Sequence, residues 1–196
     1  MIGSVETLIQ LAHDNNSSIG RAMIKYEADL KQISEADVVA QMKHNWHVMK
    51  ESIQTGIQEP KKSKGGLIGG EARKLHDYCA AQPNLLSGAN IVGAVSYAMA
   101  VAEVNATMGR IVACPTAGSC GIVPGVLKKI QELDELTDEQ IAEALMTCAG
   151  FGMVIAHKAS VSGAVGGCQA ECGAASAMAA AAAVELRGGT RPTLSM

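Results

Sequence analysis

Apolar residues recur at three- and four-residue intervals over the first part of the chain. In SVETLIQLAHD, Val5, Leu8, Ile9 and Ala12 share one helical face, and Ser4 stands where an N-cap belongs. Thr7, three residues on, is not the Glu or Gln of a capping box, so a single cap is expected. Ser17-Ser18 precede IGRAMIKYEADLKQ, where Ile19, Ala22, Met23 and Tyr26 keep helical spacing. Ser34 opens SEADVVAQMKHNWHVMKESIQTGI, with Asp37 in place of the usual Glu. Met42, Trp46, Met49 and Ile53 carry the stripe onward. Residues 1–57 therefore predict an N-terminal helical segment. Residues 58–70, QEPKKSKGGLIGG, break the pattern with one Pro, four Gly and three Lys, and read as a linker ending in a Gly turn.

Beyond the linker the apolar positions are occupied by small residues. Glu71 starts a helix through Cys79, residues 83–88 form a loop, and NIVGAVSYAMAVAEVNATMG (90–109) predicts a helix. Arg110 to Cys114 is expected to be a short extended piece, and Pro115 to Ser119 a turn bearing two hydroxyls. Pro124 suits the first turn of a helix running to Leu133. Thr137 and Gln140 form a capping box that opens a helix from Asp138 to about Ala156. A Gly/Ser stretch and an Ala-rich helix follow. No internal repeat or heptad is present. The expected fold class is mainly α: a Gly/Ala-rich helical domain preceded by the N-terminal helical segment.

Composition sharpens this picture. Apolar residues make up 48% of 196, yet aromatics are only 3%, while Gly numbers 21 and Met 10. Such a core implies closely approaching helices rather than packed strands. The net charge is −3, and the only basic block is Lys61-Lys62-Ser63-Lys64, a solvated linker, so nucleic acid is not an expected partner. The start MIGSVE shows no signal-peptide pattern. The longest small-residue run, Ala174 to Val184, is too short to span a bilayer, so no membrane association is expected. A cytoplasmic protein is expected, in which six cysteines are thiols or metal ligands rather than disulfides.

Two Gly/Ser/Thr-rich segments ahead of helices stand out: Pro115 to Gly121, and Ser160 to Cys168. Free N–H groups at a helix start attract anions, and hydroxyls add donors, so a small carboxylate would suit them. The bland alternative for each is a tight helix junction. GxxxxGK[ST] and GxGxxG patterns are absent. Cys168, at a helix start, is placed for thiolate formation and metal binding, and Cys172 lies on the same face one turn on. Cys114, Cys120, Cys168 and Cys172 could supply four sulfurs, but their spacings match neither a zinc ribbon nor a ferredoxin run. Cys79 and Cys148 read as buried small apolar residues. His44 and His47 read as rim residues rather than a ligand pair. Lys158 beside a Gly-rich segment suggests pyridoxal phosphate, against the commoner reading of a lysine at a helix C-terminus.

The stretches GGLIGGEARKL (65–75), EVNATMGRIVACPTAGSCGIVPGVL (103–127) and ASVSGAVGGCQAECGAASAMAAAA (159–182) resemble the α chain of iron–sulfur-dependent bacterial L-serine dehydratases, in order and over nearly the whole chain. The resemblance implies conversion of L-serine to pyruvate and ammonia with a [4Fe-4S] cluster and no pyridoxal phosphate. It implies Cys168 as one cluster ligand. The other ligands, in a segment of the form C-D-P-x-x-G…P-C, are expected beyond residue 196, so the 71–196 domain is expected to be truncated at its C-terminus. A β subunit or β domain is implied as partner, in an oligomer. Asn105, Thr116, Gly118 and Ser119 are expected to bind the substrate's carboxylate or amine, and Ser160 and Ser162 to line the cluster pocket. The α-proton base stays unassigned. Two alternatives remain open: a cluster-free assembly module that binds the β subunit, and a pyridoxal phosphate lyase.

Overall fold

In the computed structural model, residues 2–82 and 84–189 are described. Met1, Pro83 and residues 190–196 lie outside them, and with them one end of the predicted 83–88 loop and the last residues of the predicted 71–196 domain. The described residues form eight α-helices and one 3-10 turn, with no strand: α1 Val5–Asp14, α2 Ile19–Lys31, α3 Glu35–Gln58, α4 Glu71–Ala81, α5 Gly88–Ala106, the turn Ala117–Ser119, α6 Ile122–Asp134, α7 Asp138–Lys158 and α8 Gly163–Leu186. The fold is mainly α, as the hydrophobic periodicity implies. Arg110 to Cys114, expected to be extended, forms no strand.

The helix starts follow the polar residues read from the sequence. Ser4 Oγ accepts from Thr7 N at 3.2 Å, and Ser18 Oγ accepts from Arg21 N at 3.0 Å. At α3 the capping box closes despite the shorter acid: Asp37 N donates to Ser34 Oγ at 3.1 Å and Ser34 N donates to Asp37 Oδ2 at 3.2 Å. Thr137 and Gln140 complete both bonds of their box at α7. Pro124 occupies the third position of α6, where a missing N–H leaves no intrahelical bond unmade.

Two compact units make up the chain: residues 1–46 with 136–196, and residues 47–135. Helix α3 begins in the first and ends in the second. In the first unit, α7 packs against α1, α2 and α8. Its residues Ile141, Leu145, Cys148 and Phe151 are buried, and Trp46 is fully buried with its indole N–H donating to Asp138 Oδ1 at 3.1 Å. By length and composition alone, helix α7 is long and apolar enough to cross a membrane. Just over half of its apolar window is buried, so much of that apolarity is used inside the unit. Close approach is set by Gly20 of α2, where a Cβ would lie 2.8 Å from Thr147 Oγ1 and from Glu143 Cγ.

In the second unit, α5 packs against α4 and α6. Gly125 of α6 lies against the α5 backbone, where a Cβ would stand 2.7 Å from Ala94 O. Val101, Ile53 and Cys120 form a buried cluster, with Ile57, Tyr97 and Ile111 packed against it.

Candidate functional site

The second unit carries the first of the two hydroxyl-rich segments. Helix α5 ends at Ala106, and the chain returns through an irregular stretch to the turn Ala117–Ser119. Asn105 Nδ2 donates to Ala117 O at 2.9 Å, tying that turn to the end of α5. Thr116 Oγ1 and Ser119 Oγ lie 3.1 Å apart as a hydrogen-bonded pair. Thr116 is half-buried, Ser119 is buried and Gly118 is exposed. The structure thus gathers Asn105, Thr116, Gly118 and Ser119 around one turn. Asn105 uses its amide N–H to hold that turn.

The first unit carries the second segment. Ser162 caps α8 by accepting from Ala164 N at 3.2 Å, and Ser162 N donates to Ser160 Oγ at 3.1 Å. Helix α8 is broken at Gly167, whose φ of 76° and ψ of 174° are far from helical. Glycine is suited to this left-handed position because it lacks a Cβ. The break makes Cys168 the start of the continuing helix. Cys168 is exposed and Cys172 half-buried, with their sulfurs 3.9 Å apart. Cys172's thiol is pushed up by burial first, then by its contact with Cys168 and the nearby Glu171.

The remaining cysteines behave differently. Cys148 is buried and directs its thiol to Met178 O. Cys79, expected to be buried, is half-exposed, with its thiol directed at Ala89 O at 3.5 Å, because α4 presents that face near the start of α5. Burial pushes the Cys114 thiol up to about 12, helped by Cys120, and burial also raises Cys120. Among the described residues no group of three or more His, Cys, Asp or Glu side chains could hold a metal ion. Cys114 and Cys120 belong to one unit, and Cys168 and Cys172 to the other. The described side chains by themselves do not fit a four-iron cluster, which needs at least three thiolates. At most they offer the Cys168 end of such a site. Lys158 lies exposed in the last turn of α7 beside His157, where cations meet the helix dipole. His44 and His47 are exposed on α3, and His47 Nε2 is 3.1 Å from Glu51 Oε1.

Two carboxylates organise these units through contacts that the sequence pattern does not show. Buried Glu103 of α5 accepts from Gly70 N at 2.7 Å and Ala72 N at 2.8 Å, capping α4, whose N-cap Gly70 has no side chain. Glu185 of α8 accepts from Ile19 N and Gly20 N at the start of α2, and from the Thr147 hydroxyl. Glu103 does leave one signal in the sequence: it is a single acid inside the otherwise apolar run NIVGAVSYAMAVAEVNA.

Among the described residues this arrangement defines a mainly α-helical protein with a hydroxyl-bearing turn on one unit and a thiol-bearing, glycine-broken helix start on the other. The serine dehydratase alpha chain family matches residues 14–196, and the chain belongs to that family. It is 46% identical over 190 residues to the probable L-serine dehydratase alpha chain of Bacillus subtilis, a match covering 97% of this chain and 63% of that one. It is 35% identical over 195 residues to the L-serine dehydratase alpha chain of Peptoniphilus asaccharolyticus, covering 97% of this chain and 65% of that one. An L-serine dehydratase of Haemophilus influenzae is 33% identical over 190 residues, 95% of this chain and 41% of its own length. The chain thus spans less than two thirds of the length of these relatives.

Proposed function

We propose that this chain is the alpha part of an L-serine dehydratase, which converts L-serine to pyruvate and ammonia in concert with a β chain or domain. The observation that carries the reading is the family match over residues 14–196, which contains both hydroxyl- and thiol-bearing segments. The cofactor in this reading is a [4Fe-4S] cluster with Cys168 as one ligand and its other ligands outside these 196 residues. Iron would supply Lewis acidity for a poor leaving group, hydroxide.

The chain's own residues act on the substrate's fixed groups. The Thr116 and Ser119 hydroxyls exchange their mutual bond for bonds to the carboxylate of L-serine. A bound, hydrogen-bonded carboxylate lowers the cost of removing the neighbouring α-proton. Asn105 holds Ala117 O and so fixes the spacing of those hydroxyls. Ser162 fixes the start of α8, and Ser160 holds Ser162 N, so the pair sets the approach of Cys168.

The test is pyruvate formation from L-serine by the complete protein, prepared without oxygen and with its partner chain. Thr116→Ala with Ser119→Ala should raise KM at least ~10-fold, the effect of losing roughly 1.5–3 kcal/mol of bonding to a charged group. Cys168→Ala should abolish both bound iron and activity. Full activity in Cys168→Ala would refute the ligand assignment, and an unchanged KM in the double variant would refute the carboxylate site.

A further inference from the structure

Cys168 is exposed, so packing does not explain its place, and its sulfur is 3.9 Å from that of Cys172. The four-residue step from one to the other spans about 6 Å along a helix, inside the ~4.4–6.8 Å range of Cα separations that a disulfide bridges. Closing the pair needs the sulfurs to approach to about 2.05 Å. Two features provide that slack. Gly167 breaks the helix immediately before Cys168, and apart from its chain neighbours and the helix's own backbone nothing lies within 4 Å of where a Cβ would stand at Gly167 or at Gly173. The backbone at the break is therefore not pinned by packing at Gly167, so the turn carrying Cys168 can shift there while Cys172 stays in the regular helix.

We propose that Cys168 and Cys172 are a disulfide-exchange site, at which a low-molecular-weight disulfide converts the two thiols to an intramolecular bond. The exposed Cys168 sulfur attacks one sulfur of the small disulfide. The old S–S bond breaks, and one small thiol leaves with the proton that Cys168 gives up. Cys172 then attacks the Cys168 sulfur of the mixed disulfide, and the second small thiol leaves with the proton of Cys172. Two protein thiols are oxidised and one small disulfide is reduced to two thiols, so atoms and electrons balance. Closure withdraws Cys168 from any iron, a consequence that rests on the ligand role proposed above, whereas the exchange itself does not.

Oxidised glutathione is the probe, applied to the purified protein with its partner chain, followed by blocking of free thiols and peptide mass mapping. The expected result is loss of the Cys168 and Cys172 thiols together, in one peptide two hydrogens lighter, with little glutathione attached. In Cys172→Ser, glutathione should stay on Cys168. A persistent Cys168–glutathione adduct in the unsubstituted protein beside a freely alkylated Cys172, or an unreacted Cys168, would overturn the proposal. The unsubstituted protein decides this even where the variant fails to fold. The iron-loaded protein, assayed in parallel, separates the two readings. Protection of the pair by iron supports both, whereas equal oxidation with and without iron overturns the ligand role and leaves the exchange site standing.

Discussion

Replacing Glu103 with Ala removes a cap that α4 cannot supply for itself. Gly70 at its N-cap has no side chain, and the Glu103 carboxylate accepts from both Gly70 N and Ala72 N. Ala72 is fully buried, so its N–H is orphaned in the variant at a cost of about 1–3 kcal/mol. Gly70 is half-buried and recovers part of its bond from water, so its share is about 1 kcal/mol. Loss of an anion at a helix N-terminus adds about 0.3–1 kcal/mol. The sum is roughly 2–5 kcal/mol, a large part of the ~5–15 kcal/mol that holds a typical domain folded. Glu103→Gln keeps one acceptor oxygen and turns an amide N–H toward the other donor, so it should lose about 2 kcal/mol. Urea unfolding followed by far-ultraviolet circular dichroism measures both, through the midpoint at constant slope. Hydrogen exchange at the Ala72 amide gives a local readout, expected to lose its protection in Glu103→Ala. A loss below ~1 kcal/mol with that amide still protected would refute the capping role.

Gly20→Ala drives a Cβ to 2.8 Å from Thr147 Oγ1 and Glu143 Cγ, so the urea midpoint should fall by the equivalent of about 1–3 kcal/mol. An unchanged midpoint would mean that α2 and α7 do not approach so closely. The Tyr97 phenol is pushed up from 10.0 to about 12, by burial first and then by Glu132. Folding thus favours the protonated phenol: the stability it contributes is complete below 10.0 and lost as pH rises towards about 12. Tyr97→Phe should flatten the stability curve across that window, as read by unfolding midpoints. With an aromatic disulfide reagent at mildly alkaline pH, Cys168 should react first. Cys114, with its thiol near 12, and buried Cys120 and Cys148 should react only after unfolding, and early labelling of any of the three would contradict their packing.

Much of the local structure is legible in the sequence because its causes are local. Helix starts at Ser4, Ser18, Ser34 and Thr137 follow from side-chain oxygens two or three residues from the N–H groups they satisfy. The i, i+4 spacing of Cys168 and Cys172 is enough to put both sulfurs on one helical face, and they lie 3.9 Å apart. The long motifs shared with the family supply the chemical context.

Other features depend on residues far apart in sequence. No local rule connects Glu103 to the start of α4, 31 residues earlier for Ala72, or Glu185 to the start of α2. Those pairings exist only once the helices have packed. The break at Gly167 is not required by its residue type either: glycine permits a φ of 76° but does not impose it. Helix α3 is likewise one continuous helix from Glu35 to Gln58, although the chain divides into its two units between Trp46 and His47. Which segments are helices, where most of them begin and which sulfurs could meet follow from local residue patterns alone. Tertiary packing decided which carboxylates cap distant helices, which thiols are exposed, and that Asn105 holds the Thr116–Ser119 turn, because burial and long-range hydrogen bonds arise only when separate helices are brought together.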